Sequence, residues 1–202
     1  MAPEAIVLDE KPAADDKRAR LLEAALELFE TRGFDGVAVP QIAAKAGVAT
    51  GTVYRYFAGK EALVNALYRE WKGVYNAFVL APLPPELGHR ARFVTYWRRM
   101  MAFARTYPRA VRFMDLHHHA AYLDAESIAI SRVYRAAAEA FVTEAVAAGA
   151  LRPIAPALIV SLLWGAAAGL VKFAEADALT LDTQAVAAME DALWRAVANE
   201  PS

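Results

Sequence analysis

There is no cysteine among the 202 residues of this chain, so disulfides, thiolate metal sites and cysteine nucleophiles are excluded together. Glycine and proline are sparse, at ten residues each, which leaves long stretches without a helix breaker. Charge of one sign is missing as well. Twenty-two Lys and Arg against 23 acids give a formal net charge of −1, so total charge argues for no polyanionic partner. The first residues (Glu4, Asp9, Glu10, Pro12, Asp15, Asp16) lack the basic-then-apolar order of a signal peptide and read as a disordered leader over 1–15 of a cytoplasmic protein. The uncharged run from Ala157 to Val171, set between Pro156 and Lys172, falls short of the roughly 20 residues that span a bilayer. It reads as a buried interface helix and gives no reason to invoke a membrane.

What is present is apolar and helical. The chain is 57% hydrophobic and 22% charged, ample for a buried core and too apolar for disorder. Alanine is abundant, and apolar residues recur at helical spacing with no sustained period-2 alternation. The expected fold is all-α with about nine helices, near 16–32, 40–47, 50–57, 60–79, 89–106, 108–121, 124–148, 156–176 and 182–198. Gly33, Gly47 and Gly149, the segment APLPPELG (81–88) and the Tyr107-Pro108 and Arg152-Pro153 pairs mark the breaks. Charge is also uneven along the chain. Residues 17–60 hold seven Lys and Arg against four acids, whereas from 61 onward the two signs balance at fourteen each.

That basic excess coincides with a helix-turn-helix pattern. Two short helices meet at Gly47, where a tight corner needs a positive φ. Ile42, Val48, Val53 and Phe57 supply the apolar lock. If Val53 and Phe57, at i and i+4, point inward, then Thr52, Arg55 and Tyr56 face outward. Such a face suits a major groove: Arg pairs bidentately with guanine, Thr meets a thymine methyl or donates, and Tyr hydroxyls reach phosphates. Gly51 weakens the helix but lets another backbone approach closely.

From Lys17 to Tyr68 the sequence resembles the TetR family of bacterial transcriptional regulators. The resemblance rests on ELFETRGFDGV followed by PQIAAKAGVATGTVYRYFAGKEALVNALY, and within it on the pattern GVxxGTxYxxFxxKExL. It implies a DNA-binding head over 16–62, a ligand-binding and dimerisation body over 63–202, and a homodimeric repressor on a double-stranded operator. It further implies a recognition helix including Thr50, Gly51, Thr52, Tyr54, Arg55 and Tyr56, with Tyr54 and Lys60 on phosphates. One departure is Val39, where the family usually carries a Ser or Thr that caps the second helix.

The body offers weaker signals. Trp71, Tyr75, Tyr96, Trp97, Met100, Met114, Tyr134 and Phe141 form more aromatic and thioether surface than a thin seam needs, and suggest a cavity for an apolar or aromatic effector. The alternative for each is plain core packing. His118 is a further candidate for a hydrogen bond to that ligand. Three successive histidines, His117 to His119, point about 100° apart on a helix and cannot share one face, so no metal site and no cofactor is expected. Seven arginines (90, 92, 98, 99, 105, 109, 112) admit an anionic ligand such as an acyl-CoA as an alternative. Gly165 and Gly169 among alanines, with Leu162, Trp164, Leu170 and Val171, let another helix approach closely; the resemblance implies that this is the homodimer contact, on 156–176 and 182–198, the alternative being packing within one monomer. A small helical enzyme is disfavoured: no His-Glu-x-x-His, phosphate-binding Gly loop or GxSxG is present. A membrane-associated helical protein is the third alternative.

Overall fold

The computed structural model describes residues 17–117 and 121–199. The leader expected over 1–15, and His118 and His119, lie outside the described residues. Nine helices are found among the described residues: α1 (Lys17–Arg32), α2 (Val39–Lys45), α3 (Thr50–Tyr56), α4 (Lys60–Val79), α5 (His89–Thr106), α6 (Pro108–His117), α7 (Ala125–Ala147), α8 (Pro156–Glu175) and α9 (Thr183–Val197). The described residues form no strand. A single isolated bridge joins Leu151 to Ala198.

The breaks follow from backbone chemistry. Gly33 and Gly47 have φ of +65° and +66°, the left-handed region that side chains disfavour. Each ends its helix with a backbone bond, Gly33 N–H to Phe29 O at 3.0 Å and Gly47 N–H to Ala44 O at 3.1 Å. The cap of α2 differs from the expectation. Ala38, not Val39, is the N-cap, while Val39 is already helical and buried. Neither side chain can accept a hydrogen bond, but Gln41 Oε1 accepts from the Ala38 N–H at 2.8 Å. Half of a capping box is thereby made, without the half that a Ser or Thr would supply.

The chain gathers into two compact units. The first holds residues up to Phe78 together with Tyr107–Ser131, and the second holds Val79–Thr106 with the residues from Arg132 on. A boundary at residue 62 thus falls inside the first unit, because α4, α6 and the start of α7 cluster with the three short helices.

In the first unit α1 buries Leu21, Leu22, Ala25 and Phe29; Val37, Ile42, Val53, Leu63 and Phe113 are buried in the same unit, with the Phe29 and Phe113 rings 6.4 Å apart. Ionic contacts flank it: Arg109 lies 3.5 to 3.6 Å from Glu23, Glu27 and Glu30, and Arg112 lies 2.8 Å from Glu30. A buried amide ties α4 to the start of α7. Asn65 Nδ2 donates to Tyr122 O (2.8 Å) and Glu61 O (2.9 Å), and Oδ1 accepts from the Asp124 N–H at 2.9 Å. Asp124 caps α7 by accepting from the Ser127 N–H and pairs with Arg69 at 2.7 Å.

In the second unit α5 packs on α9. Trp97 donates its indole N–H to Val186 O at 3.0 Å, Arg98 pairs with the mostly buried Glu190 at 2.7 Å, and Phe93 lies 5.3 Å from Trp194. Helix α8 runs 20 residues, past the ends of the uncharged run, so its length and composition do suffice to cross a bilayer. In the single chain it leaves Leu158, Leu162 and Phe173 exposed.

Replacing Asn65 by Ala leaves the Asp124 N–H and the Tyr122 carbonyl without that partner inside the protein. The expected cost is about 1–3 kcal/mol, read from the denaturant midpoint of Asn65→Ala; an unchanged midpoint would show that water replaces the amide.

Candidate nucleic-acid interface and ligand cavity

Helix α3 has the two faces its spacing predicts. Val53 is 0% exposed and Phe57, just past the helix end, is 6% exposed, whereas Tyr54 is 57% and Tyr56 46% exposed. Thr50, Gly51 and Arg55 are exposed as well, and Thr52 is partly so. A Cβ added at Gly51 would meet nothing within 4 Å, so this glycine answers no packing need inside the chain. The outward groups together supply hydroxyls, a guanidinium and a bare backbone over two turns of helix.

Lys60, expected on a phosphate, has a role that the sequence reading missed. Its Nζ donates to Phe34 O at 2.9 Å and Val37 O at 3.0 Å, and sits 4.0 Å from the Phe34 ring centroid. Within the turn between α1 and α2 the Val37 N–H reaches Phe34 O only at 3.4 Å, and the ammonium gives both carbonyls a closer donor. Tyr122 stacks on Phe34 at a centroid distance of 4.0 Å and an interplanar angle of 21°. Two groups at the same short distance cannot share one face of the ring, so Phe34 lies between cation and aromatic. The Tyr122 hydroxyl in turn shares a hydrogen bond with Nδ1 of the buried His117.

Of the residues proposed for the effector, five meet in one cavity. Tyr96, Trp97, Met100, Tyr134 and Phe141 line it, with Phe93, Leu163 and Trp164 among their neighbours. The space among them, with its open mouth counted, is about 580 Å³, much of it open to solvent. All its walls belong to the second unit. Trp71, Tyr75 and Met114 are not among them. They belong to the first unit, where Trp71 lies 5.4 Å from Tyr107 and Tyr75 and Met114 are buried. Beside them, Lys72 lies 5.5 and 5.9 Å from the Tyr68 and Tyr75 rings. Burial pushes its ammonium down to about 8, against the opposing pull of Asp115.

None of the arginines is in the cavity lining, although Arg92 lies over the Phe141 ring at 5.0 Å. Arg90 pairs with Asp191, Arg92 with Glu144, Arg98 with Glu190, Arg109 and Arg112 with Glu30, and Arg99 donates to the carbonyls of Val79 and Ala81. Six of the seven arginines are thus engaged by internal partners, which leaves the anionic-ligand alternative few donors. Among the described residues no group of three His, Asp or Glu could hold a metal ion.

Comparison with known proteins covers both halves of the chain. The model of bacterial regulatory proteins of the tetR family matches residues 21–67, and that of the tetracyclin repressor-like C-terminal domain matches 78–199. The HTH-type transcriptional regulator RutR of Escherichia coli (strain K12) is 30% identical over 174 residues, which cover 83% of this chain and 80% of that one. The HTH-type transcriptional repressor KstR of Rhodococcus jostii (strain RHA1) is 41% identical over 63 residues, 31% of this chain and 30% of its own. A TetR family transcription regulator of Marinobacter aquaeolei VT8 has the same fold, with a TM-score of 0.81 at 21% identity over 91% of this chain and 96% of that one.

Two outcomes follow from these geometries. Gly51→Ala meets no steric bar and is expected to raise thermal stability by up to about 1 kcal/mol, yet to weaken binding if another backbone approaches there; gains in both stability and DNA affinity would refute that close approach. Burial holds the His117 imidazole down to about 4, below its ordinary 6.5. The folded value is the lower one, so the stability from neutral His117 is full above pH 6.5 and is lost as pH falls towards 4. His117→Gln should flatten the stability curve between pH 6.5 and 4.5, above the range where carboxylates add their own loss; an identical slope in the variant would show that other groups set it.

Proposed function

Because the chain belongs to the TetR family of bacterial regulatory proteins, and is thus a DNA-binding transcriptional regulator, we propose that it is a homodimeric cytoplasmic repressor, released from a pseudo-palindromic operator by an uncharged apolar or aromatic effector. The observation that carries the reading is α3, with Val53 and Phe57 turned in and Tyr54, Arg55 and Tyr56 turned out. In this reading 16–62 is the DNA-binding head and 63–202 the ligand-binding and dimerisation body. Thr50, Gly51, Thr52, Arg55 and Tyr56 enter the major groove while Tyr54 meets a phosphate. An ammonium has three donors, so Lys60 can reach one phosphate oxygen while holding the α1–α2 turn.

A two-fold dimer reads two half-sites one helical turn or a multiple of it apart. Helices α8 and α9 are the proposed seam. Leu158, Leu162 and Phe173 stand exposed on α8, and at Gly165 and Gly169 an added Cβ would meet nothing within 4 Å. That open apolar strip supports a second copy of the same helices as its cover. The cavity supports the effector class: its lining is aromatic, aliphatic and thioether, with no charged side chain. Effector controls the operator only to the extent that it binds the released conformation more tightly than the bound one.

Footprinting on the DNA flanking the protein's own gene gives the operator and tests the reading directly. On that operator, Tyr54→Ala with Arg55→Ala is expected to lower affinity at least about tenfold and to relax base preference. The salt dependence should also fall as a phosphate contact is lost. Binding that survives the double substitution unchanged would remove α3 as the reading element.

A further inference from the structure

The basic residues between 17 and 60 have different surroundings. Arg18 reaches Glu70 at 3.4 Å, Lys45 pairs with Glu27, and Lys60 donates to Phe34 O and Val37 O. Arg20, in the first turn of α1, is exposed, and among the described residues no hydrogen bond or ion pair engages its side chain. Glu23, the acid three residues further on, faces Arg109 at 3.5 Å instead. The Arg20 guanidinium nevertheless has a defined place. Its Nη1 lies 3.8 Å from where a Cβ on Gly47 would stand, so it rests against the corner between α2 and α3. A larger side chain at that corner would contend with it for space. An uncompensated cation from α1 thus sits beside the corner that leads into α3, three residues ahead of Thr50.

Resting on the reading of α3 as the helix that enters the major groove, we propose that Arg20 is a further DNA-binding residue, a cation outside the helix-turn-helix that takes a backbone phosphate bordering the groove. Its position on α1, behind the corner rather than on the outward face of α3, suits it to the phosphate wall and not to base edges. A guanidinium presents two parallel N–H groups that match two phosphate oxygens. Taking the phosphate breaks no internal ion pair, whereas Arg18 and Lys45 would each have to leave an acid. Phosphate contacts carry no sequence information but fix register on the duplex. Arg20 therefore anchors the entrance of α3, and Arg55, exposed on α3 itself, remains the arginine that reads bases.

The probes are the footprinted operator and a mixed-sequence DNA duplex, each titrated with the full-length protein. Arg20→Ala is expected to weaken both by a similar factor and to lower the salt slope by about 1. The loss relative to the unaltered protein should accordingly shrink about 3.5-fold between about 50 and about 200 mM salt. Arg20→Lys keeps the charge, so the slope should be retained while the affinity falls less. Thermal midpoints of both variants should match that of the unaltered protein, since no internal contact is removed. An unchanged slope in Arg20→Ala, or a loss confined to the operator, overturns the phosphate role while the reading of α3 stands. A lowered midpoint accompanying the loss does the same by making Arg20 a structural residue. The α3 reading fails separately, through operator binding that survives Tyr54→Ala with Arg55→Ala, and takes this proposal with it.

Discussion

One ammonium group holds the DNA-binding end of the molecule in shape. The chain between α1 and α2 turns sharply, with one long backbone bond of its own from the Val37 N–H to Phe34 O at 3.4 Å, so its carbonyls at Phe34 and Val37 gain from a donor elsewhere. Lys60 supplies both from the first residue of α4 while its charge lies against the Phe34 ring. Only three residues separate Lys60 from the end of α3, so fixing it relative to the α1–α2 turn also limits where α3 can point. The opposite face of Phe34 is covered by Tyr122, and the Tyr122 carbonyl is held by Asn65. The α1–α2 turn, the start of α4 and the start of α7 therefore share one polar and aromatic junction. A change in any of the three must be accommodated by the others, since packed interiors do not deform continuously.

The ionic contacts beside this junction differ in worth. Arg109 is substantially exposed and reaches three glutamates only at 3.5 to 3.6 Å, a geometry that contributes little in water. Glu30 is the exception, with its side chain 5% exposed. Removing Arg112 would leave that carboxylate short of a close partner in a site where desolvation is costly. The pair therefore fixes α6 on α1 mainly by penalising its loss.

Much of the fold was legible because its punctuation is local. Gly33, Gly47 and Gly149 all adopt the positive φ that glycine tolerates, and the apolar spacing of Val53 and Phe57 placed the exposed face of α3. Longer-range facts were not legible. Lys60 looks like any helix-starting cation until its partners, 23 and 26 residues away, are brought to it. Asn65 reads as a polar residue in an amphipathic helix, and nothing local tells that residues 57 and 59 positions later need its amide. Aromatic composition suggested a cavity but could not tell which residues share one: Tyr96 and Phe141 line the space in the second unit, whereas Trp71 and Tyr75 belong to the first. The cap shifted by one residue because Val39, being buried, is drawn into α2, and the N-cap role passes to Ala38.

The internal pairing of the arginines has a consequence for how the protein senses its surroundings. With Arg90, Arg92 and Arg98 each matched to an acid, and a cavity without charge, an uncharged molecule entering it meets no field that ions in solution could screen. Contact with DNA phosphates is the opposite case, falling steeply as salt rises. In the proposed mechanism, ionic strength therefore acts on the two functions separately: it sets how firmly the operator is held, while the intrinsic affinity for an uncharged effector stays fixed. On that reading, a cell under osmotic stress shifts the threshold of release without altering the receptor's chemical discrimination.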